Sequence, residues 1–318
     1  MFDKSSLALL SIISKKTMIM VRSLGFKANF SMNFRGNSVS LYLRIGSSFL
    51  LLEMRYDDAS NNLGTSLPTG IFICSGFPNE KVECLLNINQ PSNLFKAEGW
   101  IKNVKCAFNA EEVDVHLSSH SNFCIRSISD VMSGVRINQL RVIDDPHFFS
   151  LFVDVFHPPP NELFLMSSRL NRLTLPTTDL PWTKKVLIQN FRAVTLDTPV
   201  SLNDLLMTNV ARLISRAAKL NDKELNFFIK VWLKTKCTKI EHLCLEFPAT
   251  RGPLNEDVVL KRIGFVKQPD SRVIDFEHAR HPLMGTHSVG GGFDITRGDG
   301  TTATIVLRDR HFRMIVWI

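Results

Sequence analysis

The stretch "VARLISRAAKLNDKELNFFIKVWLKTKCTKIEHLCLEF", residues 210–247, predicts a strand, a helix and a second strand in close succession. Asn221 suits the N-cap of the helix, and Glu224 stands three positions later, where it completes a capping box. Large apolar residues then recur at helical spacing and form one stripe, at positions 225, 228, 229 and 232. A strand and a helix cannot bury such a stripe alone, so neighbouring units must supply the rest of the core.

Similar strand candidates recur within this stretch and on its N-terminal side. Their central apolar residues are 23 to 30 positions apart, namely Val115, Leu140, Leu163, Val186, Leu213 and Leu243. Segments with helical spacing lie between them, and the intervals fall in or just above the range of about 20–29 residues found in leucine-rich repeats. We therefore predict an α/β fold built on a short leucine-rich-repeat-like solenoid with parallel strands and helices.

The segments on either side of these repeats predict other structure. Residues 38–45 and 49–56 alternate apolar and polar side chains around a Gly-Ser-Ser turn, which predicts a β-hairpin. Near the C-terminus, three strand candidates predict an antiparallel meander, at 293–297, 301–307 and 311–317. We interpret this meander as a cap on the solenoid, over residues 285–318.

These assignments divide the 318 residues into three parts. A helical segment occupies 1–34, a β-rich subdomain 35–98, and the repeat domain with its cap 99–318. With 44% hydrophobic and 21% charged residues, the composition is typical of folded domains. A chain of this length can bury roughly 75% of its unfolded surface without disulfides or metals.

The N-terminal segment "SLALLSIISKKTMIMVRSL", residues 6–24, is both apolar and basic. Its uninterrupted apolar part, "LALLSII", has seven residues, far fewer than the ~20 that a membrane span needs. Apolar positions recur at intervals of three and four, which predicts an amphipathic helix that packs against something else. A mitochondrial presequence has similar chemistry and stays the alternative. No membrane partner is predicted.

Positive charge is concentrated in two regions of the chain, which has a net charge of +8. Residues 1–56 hold eight Lys/Arg and two acidic residues, and residues 210–240 hold the same numbers. Neither region has a recognisable nucleic-acid-binding motif, so we interpret them as solvated basic faces and predict no nucleic-acid partner. The six cysteines form no C-x-x-C pair and are interpreted as reduced thiols.

Histidines and glycines near residue 290 are the first candidates for a chemical site. His278, His281 and His287 form the densest cluster of possible metal ligands, but their spacing matches no standard zinc site. A polar surface loop is the preferred interpretation, with a metal site as the alternative. The cluster "VGGGFD", residues 289–294, precedes a strand and not a helix, so we interpret it as a flexible lead-in and not a phosphate site.

One cysteine–histidine pair is the remaining candidate for catalysis. His242 and Cys244 would share one face of a strand, but no third group is placed to orient them. The adjacent acids Asp144 and Asp145 precede a proline and are interpreted as a helix cap. We predict no catalytic, cofactor-binding or metal-binding residues, and therefore a protein that is not an enzyme.

Two long patterns in the sequence carry a family resemblance. The first is "LNDLLMTNVARLISRAAKLNDKELNFFIKVWLKTKCTKIEHLCLEF", residues 202–247, and the second is "GGFDITRGDGTTATI", followed by "FRMIVW". In this order they resemble the F-box associated domain (type 2) of the large nematode F-box family. The resemblance marks six positions, which we interpret as structural: Asn226, Phe228, Trp232, Asp294, Gly300 and Trp317.

The resemblance also implies a function and partners. F-box proteins begin with a helical box that docks on the Skp-type adaptor of a cullin–RING ubiquitin ligase. The segment 1–34 is similar to the later part of such a box, and the box is therefore predicted to be truncated. Adaptor contacts are expected from five residues: Leu9, Leu10, Ser14, Lys15 and Val21.

The implied role is that of a substrate-recognition subunit of an SCF-type ligase, in the cytoplasm or nucleus. The implied substrate is a protein of unknown identity, bound at an unknown surface. The alternative is a protein-binding module or decoy that has lost adaptor binding because its box is incomplete.

Overall fold

The chain folds into two compact units, Met1–Asn161 and Glu162–Ile318. The computed structural model describes residues 15–57, 63, 66–76, 83–89, 96–118, 121–143, 155–156, 159–166, 181–235, 239–276 and 287–317. Each unit combines helices with hydrogen-bonded strands, in agreement with the predicted α/β class. The domain boundaries that the sequence suggests after residues 34 and 98 remain predictions.

In its described residues the first unit has seven strands and three helices. The strands are β1 (Asn29–Arg35), β2 (Ser38–Ile45), β3 (Ser48–Arg55), β4 (Gly70–Gly76), β5 (Glu83–Asn89), β6 (Glu112–Ser118) and β7 (Arg136–Ile143). The helices are α1 (Lys15–Ser23), α2 (Ala97–Phe108) and α3 (Ile125–Val131). Neighbouring strands follow the order β7-β6-β1-β2-β3-β4-β5. Strands β1 to β5 form an antiparallel meander, whereas β6 runs parallel to both β1 and β7.

Alternating side chains build the core of the first unit. In β2, Val39, Leu41 and Leu43 are buried, whereas Ser40 and Tyr42 between them are half-buried. This period of two is the one that predicted a hairpin, and β2 and β3 form it. Helix α2 buries its apolar stripe as well, through Trp100, Ile101, Val104, Ala107 and Phe108. Helix α1 packs against α2.

The second unit has eight strands and four helices in its described residues. The strands are β8 (Glu162–Met166), β9 (Ala193–Leu196), β10 (Arg212–Ser215), β11 (His242–Glu246), β12 (Val266–Phe276), β13 (His287–Thr296), β14 (Thr302–Arg308) and β15 (His311–Val316). The helices are α4 (Pro181–Leu187), α5 (Leu202–Met207), α6 (Asp222–Lys234) and α7 (Glu256–Val259). The strand order is β12-β13-β14-β15-β11-β10-β9-β8. Strands β8 to β11 are parallel, and the remaining pairs are antiparallel.

A row of buried apolar residues crosses the strands of the second unit. Each residue is the Cα partner of the next: Leu163, Val194, Leu213, Leu243, Met314, Ile305 and Phe293. All seven are at most 5% exposed. The row joins parallel and antiparallel strands into one continuous core, to which the parallel strands contribute four residues and the C-terminal strands three.

The predicted leucine-rich-repeat-like solenoid is wrong. In both units antiparallel strands continue the hydrogen-bonded order of the parallel ones, so the described strands form mixed sheets and not a stack of repeats. The segment "KKVLIQN", residues 184–190, was predicted as a strand, but Val186 lies in α4. Val194 of β9 takes the expected place between Leu163 and Leu213. A short apolar run suits a buried helix as well as a buried strand, which explains the error.

The C-terminal meander does not act as the predicted cap. Strands β13, β14 and β15 are antiparallel, but β15 pairs with β11 from His242↔Ile315 to Glu246↔His311. The meander therefore extends the sheet sideways and does not cover a stack of repeats. Strand β12, for which the sequence analysis made no prediction, pairs with β13 beyond it.

The glycine cluster near residue 290 is part of strand β13 and is not a lead-in to it. Gly291 and Gly292 have φ of +67° and +104°, which side-chain-bearing residues rarely adopt. A Cβ on Gly292 would stand 2.8 Å from the carbonyl oxygen of Ile305. Glycine is therefore required at this position by both backbone conformation and close approach.

Candidate functional site

Helix α6 begins with the predicted capping box. The side chain of Asn221 accepts a hydrogen bond from the backbone N–H of Glu224 at 3.0 Å. The carboxylate of Glu224 accepts one from the backbone N–H of Asn221 at 2.8 Å, which confirms the box. The apolar stripe that follows is at most 1% exposed, at Leu225, Phe228, Ile229 and Trp232. The fixed start of α6 thus determines where Trp232, near its other end, is placed.

Asn226 joins α6 to the end of α7. Its Nδ2 donates hydrogen bonds to the carbonyl oxygens of Val259 and Lys261, at 2.8 and 2.9 Å. Its Oδ1 accepts a hydrogen bond from Lys230 Nζ at 2.7 Å. The last carbonyl groups of a helix have no partner within the helix, and Asn226 supplies one. Its side chain is only 9% exposed, so its role in this structure is to hold two helices together.

The turn between β13 and β14 is organised by Arg297. Its Nε and Nη2 contact the two carboxylate oxygens of Asp299 at 3.0 and 2.9 Å, and its Nη1 donates to the carbonyl oxygen of Thr235 at 3.1 Å. Gly300 has a φ of +88° and donates its N–H to the Arg297 carbonyl, closing the turn. Hydrogen bonds from Arg297, and further ones from Thr301, lower the pKa of Asp299 well below its usual value.

Asp294 is the centre of a second polar network. One carboxylate oxygen accepts from Arg272 Nη1 at 2.6 Å and from Gln268 Nε2 at 2.8 Å, while the other accepts from Thr304 Oγ1. Thr304 Oγ1 in turn accepts a hydrogen bond from the indole Nε1 of Trp317 at 3.0 Å. The Arg272 guanidinium lies 5.5 Å from the centroid of the Trp317 ring. The network therefore connects Asp294 to the position of Trp317.

An open cleft of about 420 Å³ lies where α6, the 297–301 turn and the end of β15 meet. It is lined by Ala211, Trp232, Lys239, Ile240, Glu241, Arg297, Thr301, Val316 and Trp317. The guanidinium of Arg297 lies 5.1 Å from the centroid of the Trp232 ring, within the range of a cation–π contact. Trp232 is 1% exposed, whereas Trp317 is 38% exposed. Buried Trp232 thus forms the inner part of this surface and exposed Trp317 the outer part. We call the whole surface the tryptophan cleft.

Most charges at the tryptophan cleft are paired. Arg297 contacts Asp299, and Glu241 lies 3.5 Å from Arg212. Lys239 Nζ donates to the amide oxygen Asn190 Oδ1 at 2.8 Å. In the described part of the chain, no carboxylate oxygen lies within 4.0 Å of Lys239 Nζ. The cleft therefore carries one net positive charge at its rim.

Comparison with known proteins relates this region to a known family. Residues 182–245, from α4 to β11, match the sequence profile of the F-box associated family. The chain is also similar to a Caenorhabditis elegans protein, "F-box associated domain-containing protein sdz-33", with 26% identity over 140 residues. Residues 182–245 therefore resemble an F-box associated domain.

The likeness to the nematode family that the two sequence patterns indicated is thereby confirmed. The alignment with the worm protein covers 43% of this chain and 41% of that protein, so the chain spans about two fifths of its relative's length. No solved structure matches the chain. The F-box associated family is a family of interaction domains.

The pair Cys244 and His242 does not have the properties of a catalytic nucleophile and its base. Cys244 is 8% exposed and His242 is 5% exposed. Burial raises the pKa of the Cys244 thiol, which outweighs the opposite effect of Arg313. A raised pKa keeps the thiol protonated at neutral pH, and the protonated form is a poor nucleophile.

Metal ligands and membrane spans were also candidates in the sequence. His278 and His281 lie outside the described residues, and His287 is the first residue of β13. Over the described ranges, no three His, Cys, Asp or Glu side chains are grouped so that they could hold a metal ion. No described helix has the length and the apolar composition needed to cross a membrane.

The predicted adaptor contacts are only partly within the described residues. Leu9, Leu10 and Ser14 lie outside them, and Lys15 is the first residue of α1. Val21 is fully buried, so it anchors α1 within the first unit. The adaptor-binding assignment of these residues stays a prediction. Ile19 and Met20 on the same helix, and Leu24 directly after it, have exposed apolar side chains.

Sequence analysis missed the polar residues of the tryptophan cleft. Arg297 and Asp299 occur in "TRGDG", within the second family-like pattern, where neither residue was given a role. One glycine separates the arginine from the aspartate, and at this spacing the two side chains can form a bidentate contact across a turn. The spacing could therefore have indicated the pair. Lys239 and Glu241 precede a strand without any distinctive pattern, so no sequence signal identified them.

Proposed function

We propose that this chain is a substrate-recognition subunit of a cullin–RING ubiquitin ligase of the SCF type and is not itself an enzyme. The observation that carries the proposal is the F-box associated domain at residues 182–245. The tryptophan cleft supports it, because an open surface with an exposed tryptophan suits the binding of a protein. A ligase subunit of this kind works in the cytoplasm or nucleus, and imaging of a fluorescent fusion in worm cells tests that location.

The exposed apolar side chains of α1 support adaptor binding. Ile19, Met20 and Leu24 are 65%, 60% and 55% exposed, and they lie within six positions of one another. Single exposed apolar residues are normal on protein surfaces, whereas several close together are typical of interaction sites. Val21 on the same helix is fully buried, so α1 is anchored on one side and presents apolar side chains on another.

Capture by a purified Skp-type adaptor tests this proposal. The full chain should be retained, and Ile19→Asp together with Met20→Asp should remove retention, because two carboxylates cannot enter an apolar contact without being desolvated. Phe227→Asp is the matched control, since Phe227 is 51% exposed but lies on α6 of the other unit. Point substitutions are preferable to deletion of residues 1–30, because that deletion would also remove buried Val21.

Each outcome of this experiment decides the proposal. Retention that is lost only in the α1 variant supports a ligase subunit. If the folded wild-type chain is not retained, or if the α1 variant is retained equally well, the ligase proposal fails. A chain that binds other proteins but not the adaptor is then a protein-binding module or decoy.

A further inference from the structure

We propose that the tryptophan cleft binds an extended peptide segment of a partner protein, in which an aromatic or long aliphatic side chain stands next to a carboxylate. This inference deepens the proposed function and rests on it only in assuming that the domain binds a protein. It follows from four properties of the cleft: a fixed aromatic wall, a neutralised arginine, an apolar floor and one lysine at the rim.

The outer wall is an aromatic ring that is both exposed and held in place. Trp317 is 38% exposed, yet its backbone N–H donates to the Thr302 carbonyl at 2.8 Å and its Nε1 donates to Thr304 Oγ1 at 3.0 Å. Because the indole N–H is already satisfied, the ring offers a ligand an apolar face. A side chain that is ordered before binding loses little conformational entropy when a ligand packs on it.

The inner wall of the cleft consists of Trp232 and the Arg297 side chain over it, and Arg297 does not act as a free cation. The Arg297 guanidinium contacts Asp299 with two nitrogens, donates to the Thr235 carbonyl and lies over Trp232. Its Nη2 also donates to Thr301 Oγ1 at 3.1 Å. An arginine whose donors are used in this way supports the shape of the wall and has little capacity left for an anionic ligand. The inner wall therefore selects for shape and not for charge.

The floor and the size of the cleft suit a side chain of moderate to large volume. Ile240, Val316 and Ala211 are the aliphatic residues that line the cleft, and we call them its floor. The volume of about 420 Å³ lies in the range of roughly 300–1,000 Å³ that is typical of ligand sites. The cleft is open, so a chain can pass across it while one side chain enters. This geometry fits an extended peptide with an apolar anchor.

The rim supplies the charge preference. Glu241 is close to Arg212, which leaves Lys239 as the net charge of the cleft. An ammonium group has three donors, and the contact with Asn190 Oδ1 occupies one of them. The surrounding residues 210–240 contain eight basic and two acidic residues, so the local potential favours an acidic segment. A carboxylate beside the apolar anchor would contact Lys239.

A peptide array tests the inference with the full-length chain. Immobilised nonapeptides carry Phe, Trp, Leu or Ala at the centre and Asp, Ser or Lys at the two flanking positions on each side. We expect retention of the chain by peptides with a Phe, Trp or Leu centre and Asp flanks, and weaker retention by Lys-flanked and Ala-centred peptides. Equal retention by all peptides, or a preference for Lys flanks, would overturn the inference.

Variants locate the binding at the cleft. Trp317→Ala should weaken the best peptide by at least about 30-fold, as is usual for a central aromatic contact, and Trp317→Phe should retain most of the affinity. Lys239→Glu should weaken Asp-flanked peptides roughly three- to tenfold, because it replaces attraction with repulsion. Lys223→Glu is the matched control, since Lys223 is exposed in the first turn of α6 and lies outside the cleft.

The two proposals fail in different ways. If Lys239→Glu and Lys223→Glu bind Asp-flanked peptides equally, the cleft is not the site, even if Trp317→Ala fails to fold. A chain that is captured by the adaptor but shows no peptide preference leaves the ligase proposal intact and overturns the peptide inference. Peptide binding without adaptor capture leaves the peptide inference intact and overturns the ligase proposal.

Discussion

Replacing Asn226 with alanine should destabilise the second unit by about 3 kcal/mol. The substitution removes two hydrogen bonds that the side chain donates to main-chain carbonyls, each of which contributes about 1 kcal/mol net. The carbonyl of Val259 is in a buried contact and would be left without this donor, at a further cost of about 1–2 kcal/mol. The bond to Lys261 is only partly buried, so water can replace it at little extra cost.

Thermal and urea unfolding of the purified chain measure this loss. For a unit of this size, about 3 kcal/mol corresponds to a fall in Tm of roughly 6–12 °C. Asn203→Ala is the matched control, because Asn203 is an exposed residue of α5, and we expect it to change stability by less than about 0.5 kcal/mol. Equal Tm values for Asn226→Ala and the wild type would refute the idea that Asn226 fastens α6 to α7.

Asn226→Asp separates hydrogen-bond donation from side-chain size. The carboxylate can still accept from Lys230, but at pH 7 it has no proton to donate to the Val259 and Lys261 carbonyls. We therefore expect a loss at least as large as that of Asn226→Ala. A variant as stable as the wild type would contradict the contribution of these two donated hydrogen bonds to the stability of the second unit.

Three further substitutions test other parts of the structure by urea unfolding. Trp232→Ala should cost about 3–5 kcal/mol because the ring is 1% exposed, and an unchanged midpoint would contradict its buried placement. Gly292→Ala should cost roughly 1–3 kcal/mol, since its φ is +104° and a Cβ would meet the Ile305 carbonyl; a neutral effect would contradict the tight strand contact. Burial, and to a lesser extent Arg141, lowers the pKa of His116 from 6.5 to about 4. The unfolded chain then binds more protons between these values, so stability falls as the pH drops from 6.5, and His116→Gln should reduce that fall by about 1–2 kcal/mol at pH 5. Parallel pH profiles for both proteins would contradict the burial of His116.

Helix α6 shows which features the sequence could predict. Its capping box joins residues three positions apart, and its apolar stripe repeats every three to four residues. Both signals are local, so they do not depend on which strands lie nearby. The hairpin of β2 and β3 was predictable for the same reason, because one tight turn sets the pairing from Ser38↔Arg55 to Ile45↔Ser48.

The arrangement of the sheets was not predictable from such local signals. Strand β11 ends near residue 246, yet its antiparallel neighbour β15 begins at residue 311. A regular spacing of strand candidates suggests that the chain repeats one unit, but it contains no information on a partner about 70 positions away. The repeat pattern was real in the parallel strands, and extending it to the whole chain produced the solenoid error.

The sequence indicated only part of the tryptophan cleft, because a non-local strand pairing brings its residues together. The family likeness marked Trp232 and Trp317, but it contained no information that these residues lie beside one cleft. Their proximity depends on the pairing of β15 with β11, which is non-local. Lys239 and Glu241 become recognisable as rim residues only once that pairing is known.

The position of Asp294 explains why a residue outside the cleft belongs to the same family pattern as the residues inside it. Asp294 does not line the cleft, but its carboxylate accepts the Thr304 hydroxyl proton, which leaves the oxygen lone pairs of Thr304 directed towards other donors. One of these lone pairs accepts the indole N–H of Trp317. A neutral or shorter side chain at position 294 would free the Thr304 hydroxyl to rotate, and Trp317 would lose its fixed orientation although nothing in the cleft had been replaced. Structural and binding roles are therefore not alternatives for this pattern, because the hydrogen bonds that stabilise β13 and β14 also hold the aromatic wall on which a peptide would pack.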